Sequence, residues 1–199
     1  MKKNRIVILD NGHGINTPGK CSPDKSLKEY KWNREFVDKL IPLLENEGYI
    51  VFKIVTEDED ISLSERANRA NKIITKYGAV NCVFISVHVN AAGNGDWMNA
   101  TGWEVYSTKG KTNSDKLAEC LCNACLEENV KLRKDMSDGD KDKESNFTVI
   151  YKTNCPAVLT ENLFMDSKTD LEILKSEEGV QKLLNIHVKG IKGFFENKK

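Results

Sequence analysis

The sequence has no long apolar run and no charge imbalance. Nowhere does it approach the roughly 20 consecutive apolar residues of a membrane span. The apolar stretch after the basic start "MKKNRIVILDNGHG" is only Ile6–Leu9, too short for a secretory signal. Thirty Lys and Arg cancel thirty Asp and Glu, so the basic excess of a nucleic-acid-binding protein is missing. With only four prolines, there is no Pro-rich linker, nor any internal repeat or composition shift along the 199 residues. That pattern predicts one domain with a sizeable core. The six cysteines, at 21, 82, 120, 122, 125 and 155, are scattered rather than arranged as a disulfide framework. They read as reduced thiols in a chain made in the cytoplasm without a signal peptide.

What is present is an alternation of strand-like and helix-like segments. Arg5–Leu9 reads as a buried strand. "SLKEYKWNREFVDKLIPLLENEGY" reads as a long helix, capped by Ser26, kinked at Pro42 and stopped at Gly48. "YIVFKIV" is a strand, "SLSERANRANKIITKYG" a helix, and "VNCVFISVHVN" and "WEVYST" two more strands. "SDKLAECLCNACLEENV" reads as an amphipathic helix with Leu117, Leu121 and Cys125 on one face and Cys122 on another. Its C-x-C-x-x-C spacing is therefore read as core packing rather than a metal site. The polar run "RKDMSDGDKDKESN" is expected to be a solvated loop. "FTVIYK" and "PAVLTENLF" read as strands and the remaining segments as two helices. The order predicts an α/β fold, a mostly parallel mixed sheet covered by helices on both faces.

Ligands of open α/β sheets bind outside the carboxyl ends of the strands. Three predicted strands end on chemistry-bearing residues: the first at His13, the third at His88, and "AVLTEN" at Glu161. Two imidazoles and a carboxylate form a common catalytic zinc set. Zinc chemistry at neutral pH also needs a free carboxylate to carry a proton. Asp10, Glu29, Glu104 and Glu161 are candidates, and spacing does not rank them. Each has a plainer reading. A histidine after a strand is commonly a turn residue, and Ser26-Leu27-Lys28-Glu29 matches a capping box. Glu161 also fits a solvated strand end. His187, between Leu184 and Ile191 on an apolar stripe, reads as structural.

Taken together, the segments resemble the zinc-dependent N-acetylmuramoyl-L-alanine amidases (Amidase_3 type), from about Ile6 to Leu174. "LDNGHGINTPG" resembles the family's D-x-G-H-G segment, and "KEYKWN" its helix-borne zinc glutamate. "SLSERANRAN" resembles its S-L-x-x-R helix, "FISVHVNAA" its S-x-H-x-N-A strand end, and "PAVLTENLFMDSKTDLEIL" its P-A-V-L-x-E segment. The resemblance implies Zn2+ held by His13, Glu29 and His88, with Glu161 as catalytic acid and base. It implies hydrolysis of the amide between N-acetylmuramic acid and L-alanine in peptidoglycan. A zinc peptidase acting on stem peptides and an inactive wall-binding module are the alternatives. Asp10, Asn11 and Asn90 are candidates to orient the histidines or bind substrate, and Trp97 and Trp103 to line a glycan or peptide groove, with the core an equal place for one or both. Gly12 and Gly14 are expected to let the backbone turn sharply beside His13. Thr17 stands where the family has an acid, and Thr56-Glu57 where it has Thr-Arg. The chain, 1–199, is expected to be one catalytic domain without a separate wall-binding module. A monomer is expected, acting on the cell wall after release or lysis.

Overall fold

The computed structural model describes residues 4–137 and 139–197. The first strand, β1 (Ile6–Asn11), is buried along its whole length. Strand β1 lies between β2 (Ile50–Lys53) and β3 (Cys82–Asn90), parallel to both. β6 (Ala157–Phe164) pairs in parallel with β3, and β4 (Glu104–Ser107) runs antiparallel against β6. The two-residue β5 (Lys143–Glu144) completes the six-stranded order β2-β1-β3-β6-β4-β5.

Side chains alternate across this sheet, and each face buries its own apolar set. Val7, Leu9, Val83, Ile85, Val87 and Val158 pack under α1 (Glu29–Asn46), α3 (Asn113–Glu127) and α6 (Glu177–Glu196). Ile6, Ile8, Cys82, Phe84, Ala157 and Leu159 meet α2 (Leu63–Tyr77) and the single turn α4 (Thr148–Tyr151). α5 (Lys168–Lys175) adds Leu171 and Leu174 to the first set. The expected mostly parallel sheet with helices on both faces is what the chain forms. Among the described residues, no helix is long and apolar enough to cross a membrane.

Three local expectations are corrected. Ser26 does not cap α1: Lys28, which folds back to bridge Cys21 antiparallel, is itself extended, and the helix begins at Glu29. The Ser26 hydroxyl instead accepts from Lys175 Nζ at 3.3 Å. "FTVIYK" is helical at its centre. One turn puts the adjacent Val149 and Ile150 into the same core, where a strand would send them to opposite faces. The polar run also contains β5 rather than loop alone. α1 continues through Pro42.

Among the described residues, no disulfide joins any of the six cysteines. Cys122 is as fully buried as Cys125, so both faces of α3 that carry them are core. Burial pushes both thiols up, Cys125 to about 12, which keeps them in the inert thiol form. His187 is structural, as its apolar neighbours suggested. Its Nδ1 donates to the Leu183 carbonyl at 2.8 Å, and its Nε2 lies 3.1 Å from Thr160 Oγ1.

Burial lowers the His187 pKa from 6.5 to about 4. The folded state therefore favours the neutral ring. Its contribution is complete above the free imidazole's pKa and is lost as pH falls from 6.5 towards 4. Urea unfolding of His187→Gln should show a smaller loss between pH 7 and pH 4 than wild type. The difference should be about 3 kcal/mol at one pKa unit per 1.4 kcal/mol; equal losses would refute it.

Candidate metal centre and its neighbouring carboxylate

The carboxyl ends of β1, β3 and β6 lie side by side, and the site is built on them. At the end of β1 the Gly12 N–H still bonds to the Val87 carbonyl, at 3.0 Å. The next residue, His13, turns left-handed with φ 62°. A histidine tolerates that region better than a branched residue, though it is uncommon. Two guanidiniums hold it there: the His13 carbonyl accepts from Arg34 Nη1 at 3.0 Å and Arg66 Nη2 at 3.3 Å. The turn thus lies in His13 itself and not in its flanking glycines, which correct a different problem. A Cβ on Gly12 would lie 2.1 Å from His88 Cε1, and one on Gly14 would lie 1.9 Å from the Asp60 nitrogen.

Glu29, the first residue of α1, is 1% exposed. Its Oε1 lies 3.3 Å from His13 Nε2 and 3.1 Å from His88 Nδ1, and accepts the Val89 N–H at 3.2 Å. The two rings meet edge to face at 89°, with centroids 4.9 Å apart. One donor atom from each of His13, Glu29 and His88 falls within 4.8 Å of the others. Burial alone would raise the Glu29 pKa, but hydrogen bonds from both imidazoles hold it well below the usual carboxylate range. For His88, burial favours the neutral ring, yet the bond to Glu29 outweighs it and raises the pKa.

Glu161 sits beside this trio as the β-sheet partner of His88. Its Oε2 is buried with no hydrogen-bond partner among the described residues. Burial raises its pKa to about 8; His88 opposes this, while the nearby Glu29 and Glu104 charges add to it. Of the four candidate acids, Glu29 faces both imidazoles and Glu161 is left as the carboxylate with a free oxygen. Glu104 is occupied by Arg133, Lys143, Asn90 and Tyr106.

The remaining candidates act at one remove or not at all. Asp10 makes its bonds to Arg66 Nη1 at 2.5 Å and Ser86 Oγ at 2.6 Å. It reaches His13 through Arg66, not through the imidazole. Asn11 is buried with neither amide atom hydrogen-bonded among the described residues. Asn90 ties the end of β3 to Glu104 at 3.0 Å rather than to a histidine. Trp103 is wholly buried and lines no groove. Its Nε1 donates to Asn162 Oδ1 at 3.0 Å, and Asn162 Nδ2 donates to the His88 carbonyl at 3.0 Å. Trp97 is on the surface, 38% exposed, with Lys168 Nζ 5.6 Å from its ring centre. Thr17, in the place of an acid, accepts the Gly14 N–H and donates to Asp60.

Sequence reasoning passed over Arg34, left Arg66 and Asn33 as motif positions without a role, and noted Asn162 only as a departure from the family's pattern after Glu161. Asn33 Nδ2 donates to the Gly12 carbonyl at 3.2 Å, holding the turn before His13. Period-two alternation was the available signal for Asn162, since a neighbour of the outward Glu161 must point the opposite way.

A model of the N-acetylmuramoyl-L-alanine amidase family (Amidase_3) matches residues 7–193. The chain belongs to that family. It is 30% identical over 197 residues to the sporulation-specific N-acetylmuramoyl-L-alanine amidase of Bacillus subtilis, covering 97% of this chain and 69% of that one. It is 28% identical over 200 residues to the endolysin of Bacillus phage SPP1, covering 98% and 68%. The chain thus spans about two thirds of the length of these relatives. The crystal structure of an N-acetylmuramoyl-L-alanine amidase from Clostridium difficile 630 superposes with a TM-score of 0.83 at 28% identity. That match covers 99% of this chain and all of that one.

The donor set fits a metal of this family. Two imidazole nitrogens and one carboxylate oxygen converge, the backbone carbonyls of both histidines are anchored, and Glu29 is fixed by the Val89 N–H. His2Glu is a known catalytic zinc set.

Two substitutions test this packing. Gly12→Ala should keep the far-UV circular dichroism of wild type and lose most divalent-metal uptake in elemental analysis, because its methyl group displaces the His88 ring. Trp103→Phe should lower stability by about 1–3 kcal/mol by leaving Asn162 Oδ1 unpaired in the core. Chemical denaturation measures the latter, and an unchanged midpoint would contradict it.

Proposed function

We propose that the domain hydrolyses the amide between the lactyl carbonyl of N-acetylmuramic acid and the amine of L-alanine in peptidoglycan. Zinc would be held by His13, Glu29 and His88, and Glu161 would act as the proton carrier. The observation carrying this reading is the convergence of two imidazoles on one buried carboxylate, beside a second carboxylate whose Oε2 has no partner. Zinc held by these residues supplies Lewis-acid polarisation of the carbonyl and acidifies water at neutral pH.

The chain's own groups do the rest. Ionised Glu161 accepts a proton from the attacking water at its free oxygen. It then donates that proton to the alanine nitrogen as the C–N bond breaks. A pKa near 8, set by burial, keeps the acid form accessible at neutral pH, and added positive charge nearby favours the base form. Glu29 stays ionised and Asn162 and Asn33 hold the strand ends, so neither imidazole has to reorient during turnover. The reading sets the place of action at the cell wall, reached after release or lysis, with the domain working as a monomer. A sporulation enzyme and a phage endolysin among the relatives support a wall substrate.

Glu161→Gln should retain zinc and lose roughly 10²–10⁴-fold in kcat on purified sacculi. Mass spectrometry of the wild-type digest should show new L-alanine amino termini and intact glycan. Cuts inside the stem peptide would reassign the domain as a peptidase. Sacculus binding without soluble product would make it a wall-binding module.

A further inference from the structure

Sheet register aligns His88, Glu161 and Glu104 in one row across β3, β6 and β4. Cross-strand partners of this kind stand about 5 Å apart at Cβ, so whatever surrounds Glu104 borders the proton carrier. Glu104 is 2% exposed and both of its oxygens are engaged. Oε1 accepts from Arg133 Nε and from Lys143 Nζ at 2.7 Å. Oε2 accepts from Asn90 Nδ2 at 3.0 Å and Tyr106 Oη at 2.9 Å. Two cations against one anion leave positive charge beside the site, and the hydrolysis described above does not use it.

Arg133 is held from several sides. Its Nε is on Glu104, and its guanidinium carbon lies 5.1 Å from the centre of the Phe164 ring. Its stem lies against Gly102, where an added Cβ would come within 2.9 Å of Arg133 Cγ. Its backbone N–H bonds to the Trp103 carbonyl at 2.9 Å. Nη1 and Nη2 have no protein acceptor among the described residues, and the side chain is 37% exposed. An arginine fixed by its Nε and one face presents the two Nη groups as a fork that matches a carboxylate.

We propose that Arg133, seconded by Lys143, binds a carboxylate of the stem peptide, namely the free α-carboxylate of the acidic residue following L-alanine. The inference rests on the amidase reading above. Neutral N-acetylated sugars offer the fork no anion, whereas this carboxylate lies one residue beyond the amine that leaves from Glu161. Glu104 is the counter-charge that aims the fork, and Phe164 sets its plane. An amidated peptide at that position presents an NH2 group to a cation and is discriminated against.

The test uses the zinc-loaded full chain and two synthetic substrates, N-acetylmuramoyl-L-alanyl-D-glutamate and its D-isoglutamine amide. Wild type should favour the acid by about tenfold in kcat/KM, mainly through KM. Arg133→Ala should bring that ratio close to one. Arg133→Lys, which keeps the charge and loses the fork, should fall between them. A melting curve for each variant separates loss of fold from loss of recognition. The inference is overturned if wild type shows no preference, if Arg133→Ala keeps it, or if both substrates lose equally. Should wild type release peptide from neither substrate, the amidase reading fails first and this one with it. A cleaving enzyme with an unmoved ratio overturns this inference alone.

Discussion

A carboxylate taken out of water has to find its compensation inside the protein, and Glu29 is the group around which this requirement is met. At 1% exposure it is stabilised by two imidazoles and one backbone N–H, all on the same oxygen. An unpaired charge there would cost several kcal/mol. The three elements that supply its partners, the ends of β1 and β3 and the start of α1, are therefore bound to one geometry. The fold-back that bridges Lys28 to Cys21 delivers Glu29 as the first residue of its helix, facing inward.

Each imidazole is restrained from behind as well as from in front. The His13 backbone is clamped by Arg34 and Arg66, and Arg66 is neutralised by Asp10 and Asp60. His88 is steadied through its carbonyl by Asn162, which Trp103 orients in turn. One face of the sheet thus carries the row of His88, Glu161 and Glu104. The other face carries residues that fix the backbone beneath it. The division follows from the two-residue period of a strand.

Much of this was readable in the linear sequence because it rests on periodicity and strand ends. "VILDNGHG", "FISVHVN" and "AVLTEN" announce buried strands that stop on His13, His88 and Glu161, and parallel neighbours bring such ends together. Glu29 was ambiguous from spacing alone, because Ser26 to Glu29 satisfies a local capping pattern. A bridge from Lys28 back to Cys21, outside the four-residue capping pattern, decided against it. "FTVIYK" misled for the same reason, since a short apolar run suits a strand or a helical turn equally well. Trp103 suited a groove wall or the core equally well in the sequence, and its hydrogen bond to Asn162 and full burial place it in the core. The Glu104 cluster assembles residues from four separate stretches of chain, and no spacing rule connects them.

The two borders of the sheet are also short. β2 offers four residues, with Lys53 paired to Asp38, and β5 offers only Lys143 and Glu144. Bare strand borders are templates on which a second chain can add itself and begin to aggregate, and brevity and charge are the usual safeguards. The buried, strongly apolar strands lie in the interior of the order, where no neighbour can reach them. The chain thereby gains colloidal security from the same strand order that sets the ends of β1, β3 and β6 side by side.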